Sequence, residues 1–169
     1  VQNTTIRDLS RLGDILATPP WSAITVNDRP LLNLSLALNY AAGGLQVGGY
    51  HGVNLAIHAL AGLVLFGIVR RSLRRPALAA RFGEASLPLA GCAALLWILH
   101  PLQTESVTYV VQRAESLLGL LYLLTLYAFI RGAESSRPWI GYSLCLTFCT
   151  FGMMAKEVMV SAPLMVLLY

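Results

Sequence analysis

Long apolar runs separated by short polar segments constrain the fold of this chain more than any other feature. Only 12% of its 169 residues are charged, whereas soluble domains carry about 25%. A soluble core of this size would therefore lack a polar coat. A membrane-crossing helix needs about 20 apolar residues. Residues 50–69 meet this length, residues 87–102 are short, and a helix capped at Thr104 has an apolar run that reaches residue 130. Residues 140–155 form the fourth span, and residues 158–169 begin a fifth. The sequence predicts an all-α, polytopic transmembrane bundle over residues 50–169, with about four full spans and a truncated fifth.

Residues 1–49 are predicted to form interfacial helices and a loop, with no span. Residues 6–16 place Leu9, Leu12 and Leu16 on one face and charged residues on the other, a pattern typical of a helix lying in the membrane interface. A second such helix is predicted from residue 28 to residue 40. The polar start lacks Met, and the last apolar run stops short. We therefore expect a fragment that is incomplete at both ends.

Arginine counts predict the topology. The loop after the first span carries five arginines, and the loop over residues 131–137 is also basic; cytoplasmic loops show this excess. The other loops and residues 1–49 then face the exoplasm. The net charge of +4 does not indicate nucleic-acid binding, because the basic cluster flanks an apolar run and lacks interleaved aromatic residues. The five arginines are Arg70, Arg71, Arg74, Arg75 and Arg81.

Charged side chains beside the apolar runs are the candidate site. Charge near hydrocarbon costs several kcal/mol unless it is paired or faces a polar cavity. The segment from His100 to Glu115 is therefore either a site or a water-facing turn. Lys156 is either a phosphate ligand or the partner of a local ion pair. Arg29 could bind a phosphate, pair with Asp28 or reach headgroups.

Spacing suggests how these groups could act together. On one continuous helix, Glu105 and Arg113 would lie on adjoining faces two turns apart. A phosphate-linked substrate requires cations, and its hydroxyl groups require acceptors, which this set supplies. One stripe of the first predicted span carries His51, Asn54 and His58. For these side chains, interhelical hydrogen bonding is favoured over metal binding. No metal site is predicted.

Several motifs resemble the membrane part of the transmembrane-and-tetratricopeptide-repeat O-mannosyltransferases and their bacterial relatives, and they occur in the same order as in that family. They lie at residues 29–40, 49–58, 100–107, 112–115 and 156–157. The resemblance implies the C-type glycosyltransferase superfold. It also implies transfer of a sugar from a polyprenyl-phosphate carrier to an acceptor hydroxyl, protein Ser/Thr or glycan, on the exoplasmic face. No cofactor is expected beyond this lipid-linked donor. The membrane would be the bacterial inner membrane, or the endoplasmic reticulum in a eukaryote, with tetratricopeptide repeats following the membrane part.

The resemblance also implies roles for the charged residues. The leaving carrier phosphate would be bound by Arg113, Lys156, Arg29 and His100, and the substrate or these cations would be oriented by Glu105, Glu115 and Glu157. The family's acidic motif lies before a helix like residues 6–16, and Asp8 and Asp14 do not replace it. The general base is therefore expected upstream of Val1. The alternative is a non-catalytic membrane module, such as a transporter piece or a scaffold for a repeat domain. Pro101 and Pro138 lie at span ends, which favours the enzyme because transporter helices break at mid-membrane.

Overall fold

The structure is a computed structural model that describes Arg7, residues 12–16 and residues 29–169. Nine α-helices are assigned within these residues: α1 Leu12–Leu16, α2 Pro30–Gly43, α3 Val47–Leu73, α4 Pro76–Phe82, α5 Ser86–Ile98, α6 Thr104–Thr108, α7 Arg113–Glu134, α8 Pro138–Met153 and α9 Ala162–Leu168. Short 3₁₀ helices cover Pro101–Gln103, Val110–Gln112 and Glu157–Ser161. This part of the chain contains no strand, so the predicted all-α class is confirmed.

Membrane-crossing capacity resides in the longest helices. Within the described residues, Val47–Leu73 and Val110–Glu134 are long and apolar enough to cross a bilayer. A third crossing is available if Ser86–Ile98 and Pro101–Thr108, which meet at a bend of 54°, act as one broken span. The helix α8 has 16 residues, below the roughly 20 that a straight crossing requires. The predicted number of spans and the division at residue 49 stay predictions.

The bundle has two ends that differ in their charged residues. At the first, which we call the arginine end, Arg71 donates to Glu134 at 2.5 Å, which joins the C-terminal ends of α3 and α7. The hydroxyl groups of Ser72 and Tyr169 lie 2.8 Å apart, which brings the end of α9 there too. The two basic loops therefore lie at one end of the bundle, as the alternation of spans predicts. The other end, where α7 begins, we call the Arg113 end.

Close backbone packing joins α7 and α8. The two helices are connected by Ser135–Arg137, and Pro138 lies in the first turn of α8, where its missing N–H costs nothing. Gly132 and Gly141 are both buried. A Cβ added at Gly141 would lie 2.9 Å from the Ala128 carbonyl oxygen and would clash with Gly132. Small residues thus allow the backbones to approach, as is usual between helices in membranes.

The helix α2 lies across the Arg113 end. The Leu31 N–H donates to the Met154 carbonyl at 3.4 Å, just past the end of α8. At its other end, the Tyr50 hydroxyl of α3 donates to the Gly44 carbonyl at 2.9 Å. Asn33 donates to the Ile15 carbonyl at 2.8 Å and so ties α1 to α2. The second predicted interfacial helix is confirmed as a helix, whereas most of the first, residues 6 and 8–11, lies outside the described residues.

The segment between α5 and α7 departs from the prediction. One helix was expected from residue 104 onward, but α6 ends at Thr108 and Tyr109 is extended (φ −95°, ψ 121°). Asn54 donates to the carbonyl oxygens of Val107 and Tyr109 at 3.4 and 3.3 Å. These carbonyls therefore accept bonds from a neighbouring helix. The prediction of one continuous helix from Glu105 to Arg113 is wrong, and so is the face assignment that depended on it.

Candidate functional site

Arg113, the first residue of α7, is fully buried at 0% exposure. Its Nε donates to Asn54 Oδ1 at 2.7 Å, and one terminal nitrogen donates to Asn39 Oδ1 at 2.8 Å and to the Tyr50 carbonyl at 3.0 Å. The other terminal nitrogen donates to the Ser35 carbonyl at 3.3 Å. One guanidinium therefore fastens the start of α7 to both α2 and α3.

Neutral oxygens surround this cation, which was unexpected. A phosphate or one of the nearby carboxylates was the predicted partner of Arg113, but the structure supplies two amides and two carbonyls instead. The guanidinium carries five N–H donors in a rigid fork, which suits acceptors spread over two helices. For Arg113 to bind a phosphate, these hydrogen bonds would have to rearrange. The predicted contact between Arg113 and a phosphate stays a prediction.

Sequence reasoning missed the acceptors of Arg113. Asn39 and Asn54 were not proposed as its partners, although a signal existed. A buried amide in a mostly apolar helix requires a hydrogen-bonding partner, and Asn54 lies in the first apolar run. The sequence pattern does not indicate which distant donor pairs with the Asn54 amide, because Asn54 and Arg113 are 59 positions apart.

Lys156 forms an ion pair with Glu115, to which its ammonium donates a hydrogen bond. Their side chains are 26% and 42% exposed, respectively. Lys156 lies in extended backbone (φ −164°, ψ 145°) just before the 3₁₀ helix Glu157–Ser161. Because an ammonium has three donors, two remain after the bond to Glu115. The ion pair of Lys156 is therefore not the predicted local one with Glu157 but a pair with Glu115 of α7, 41 positions away.

Arg29 and Glu157 lie on the segments that flank this ion pair. Arg29 precedes α2, whose Leu31 N–H contacts the Met154 carbonyl two residues before Lys156. The Arg29 side chain is partly exposed and makes no ion pair or hydrogen bond with the described part of the chain. Glu157 is exposed. The fold thus brings Lys156 and Glu115 into contact and leaves Arg29 and Glu157 on adjacent segments.

His100 and Glu105 take up other positions. The His100 ring accepts a hydrogen bond from the Leu102 N–H at 3.2 Å and caps its own 3₁₀ turn. Glu105 is exposed in the first turn of α6. That helix is held against α7 by the Ser116 hydroxyl, which donates to the Ser106 carbonyl at 2.9 Å. Neither side chain makes a hydrogen bond or ion pair with Lys156 or Arg113 within the residues that the structure describes.

The polar stripe on α3 has the role that was favoured for it. The His51 Nδ1 lies 3.4 Å from the Val107 carbonyl oxygen, and the His58 Nε2 lies 3.0 Å from the Ile98 carbonyl oxygen. His58 also stacks on Trp97, with ring centroids 5.0 Å apart. Interhelical hydrogen bonding by these residues is therefore confirmed. In the described segments, no group of three His, Cys, Asp or Glu side chains could hold a metal ion.

Comparison with known proteins identifies relatives of one kind. The chain is 34% identical over 155 residues to "Protein O-mannosyl-transferase tmtc2" of Xenopus laevis, an alignment that covers 80% of this chain. It is 34% identical over 160 residues, 91% of the chain, to "Protein O-mannosyl-transferase Tmtc1" of Drosophila melanogaster. It is 33% identical over 181 aligned positions, 93% of the chain, to "Protein O-mannosyl-transferase TMTC4" of Homo sapiens.

These alignments span only a part of each relative. They cover 17% of the Xenopus and Drosophila proteins and 23% of the human one. No family model matches the chain, and no solved structure matches it. The relatives nevertheless agree in name, and they match most of this chain. Over most of its length, this multi-pass membrane chain therefore belongs with the TMTC protein O-mannosyltransferases, as its motifs predict.

Proposed function

We propose that the protein is a membrane glycosyltransferase that transfers mannose from a polyprenyl-phosphate carrier to a protein Ser or Thr hydroxyl. The relatives named as protein O-mannosyltransferases support the sugar and the acceptor class. The observation that carries the proposal is the part-exposed Lys156–Glu115 pair at the Arg113 end, where the segment that carries Arg29 adjoins the one that carries Lys156. The proposed membrane is that of the endoplasmic reticulum in a eukaryote, with this end facing the lumen.

Lys156 is the cation best suited to the leaving phosphate. An exposed ion pair contributes only about 0–1 kcal/mol, so a phosphate oxygen can share or replace Glu115 at little cost. The approach of Arg29 would add a second, bidentate cation. During transfer, the acceptor oxygen bonds to the sugar C1 while the bond from C1 to the phosphate oxygen breaks. Lys156 then stabilises the negative charge that develops on the phosphate.

Arg113 is proposed as a positioning residue. Its bonds to α2 and α3 fix the start of α7, and Glu115 follows two residues later. Arg113 therefore determines where Glu115, and through it Lys156, stands relative to Arg29. The acceptor proton would go to a carboxylate that the family resemblance places upstream of Val1.

Substitution of Lys156 tests this proposal. In the intact protein, Lys156→Ala should lower kcat/KM for mannose transfer from polyprenyl-phosphate mannose to protein by about 100-fold or more, the usual cost of removing a charge-stabilising donor. Lys156→Arg, which keeps the charge, should retain more activity than Lys156→Ala. Transfer would be measured as radiolabelled mannose that becomes bound to protein.

Arg137→Ala is the matched control, because Arg137 is an exposed cation at the arginine end. It should leave transfer unchanged. Full activity in a well-folded Lys156→Ala protein would contradict the phosphate-binding role. A wild-type protein that does not consume the lipid-linked donor would contradict the proposed reaction and favour the non-catalytic alternative.

A further inference from the structure

A cavity of about 410 Å³ opens at the arginine end, opposite the proposed transfer site. Its walls are contributed by α3 and α7. The charged and aromatic side chains that line it are Arg70, Arg71, Arg74, Tyr127 and Glu134, and the remaining lining residues are Leu63, Phe66 and Gly67. We propose that this cavity binds the phosphate group of an anionic phospholipid from the leaflet at this end.

The charge balance of the cavity favours an anion. Three arginines face one carboxylate, Glu134, which already accepts the Arg71 bond. Arg70 and Arg74 are exposed and form no ion pair with the described residues. The C-terminal ends of α3 and α7 add about one negative charge in total. The sum is about one positive charge, which matches a phosphodiester monoanion.

Two of the arginines are free to bind such a group. Arg71 is held by Glu134 and lies 5.6 Å from the centre of the Tyr127 ring. It therefore forms a fixed wall, whereas Arg70 and Arg74 can move toward a ligand. Arginine is suited to phosphate because its planar fork donates two parallel hydrogen bonds.

The apolar part of the cavity favours a lipid over free phosphate. Leu63 and Phe66 lie one to three turns before the arginines on α3 and so extend toward the middle of the bundle. Leu63 is 65% exposed, which leaves an apolar surface for an acyl chain. Gly67 allows the Tyr127 ring to pack against α3 and form one wall of the cavity, because a Cβ there would lie only 2.9 Å from that ring. A headgroup among the arginines would therefore have its chain along Leu63 and Phe66.

Lipid retention by the intact protein tests the proposal. The protein would be reconstituted with equimolar phosphatidylglycerol and phosphatidylcholine, and the bound lipid would be counted by native mass spectrometry. The wild type should retain phosphatidylglycerol preferentially. Arg70→Gln with Arg74→Gln should lower that affinity about 25-fold, since each basic residue near an anionic headgroup contributes about a factor of five.

The control is Arg131→Gln with Arg137→Gln. These two exposed arginines lie at the same end but outside the cavity, so the change in net charge is identical. The control should keep the preference of the wild type. Equal loss in both double variants, or equal retention of the two lipids by the wild type, would overturn the proposal. Displacement of the lipid by millimolar inorganic phosphate at constant ionic strength would overturn the lipid assignment and identify a free-phosphate site.

Discussion

At the residue scale, Arg113 is a buried cation whose hydrogen-bond partners are all neutral. A buried charge is tolerated only when hydrogen bonds replace its hydration. Four such bonds, from two amides and two carbonyls, perform this role. Since the partners carry no negative charge, the site keeps a positive potential just behind Glu115. This positive charge lies two residues before Glu115 on α7, the residue that pairs with Lys156.

Arg113→Ala should destabilise the protein. Loss of the guanidinium would leave Asn39 Oδ1 and Asn54 Oδ1 buried without their donor, and each unsatisfied buried group costs about 1–3 kcal/mol. We expect the free energy of unfolding to fall by about 3 kcal/mol, measured as a lower thermal unfolding midpoint in detergent. Arg137→Ala, at an exposed position, should leave the midpoint unchanged. If Arg113→Ala unfolded at the wild-type temperature but lost transfer, a direct phosphate contact would be favoured instead.

At the element scale, the hairpin of α7 and α8 depends on residues without side chains. Gly132 and Gly141 allow the two backbones to touch, and their contact lies near the arginine end. Farther along the pair, Tyr122 of α7 and Cys149 of α8 pack beside Leu118 and Met159. This packing positions the C-terminal end of α8 against α7, and so places the segment that carries Lys156 next to Glu115.

Gly141→Ala should separate the two helices. The added Cβ would meet backbone atoms, which cannot move aside as a flexible side chain can, and such overpacking costs about 1–3 kcal/mol. The thermal midpoint should fall accordingly. Gly119→Ala on α7 is the control, because a Cβ there meets nothing within 4 Å; it should be neutral or stabilising by up to about 1 kcal/mol through helix propensity. Equal midpoints for the two variants would show that the close approach is not required.

At the scale of the whole molecule, the two ends carry different kinds of charge. The arginine end collects the basic loops, joined by the Arg71–Glu134 bond. The Arg113 end collects a mixed set, joined by the Lys156–Glu115 pair. The excess of arginine in loops indicates the cytoplasm. The proposed transfer site and the proposed lipid site would then face opposite compartments.

Labelling with an impermeant maleimide tests this orientation. With Cys92, Cys145 and Cys149 replaced, a single cysteine would be introduced at exposed Ala80 or at exposed Glu105. In sealed vesicles whose cytoplasmic face is outward, Ala80→Cys should react at once, whereas Glu105→Cys should react only after detergent is added. The reverse pattern would invert the topology and move the transfer site to the cytoplasmic side.

The sequence by itself determined the helical class, most helix positions and the grouping of charges at two ends. Apolar run length, arginine counts and Pro138 at a helix start are local properties, which the chain displays without folding. The motif order also sufficed to predict the family relationship. Even the interhelical role of His51 and His58 followed from their spacing, because polar groups in an apolar helix need partners.

Only the tertiary structure decided which groups meet. It paired Lys156 with Glu115, 41 positions away, and surrounded Arg113 with amides from two other helices. It also ended α6 before Tyr109, where Asn54 donates to the carbonyls of Val107 and Tyr109. The physical reason is that a buried polar group is satisfied by whichever partner the packing brings within about 3 Å. That partner is fixed by how the helices cross, and the crossing depends on contacts spread over the whole bundle.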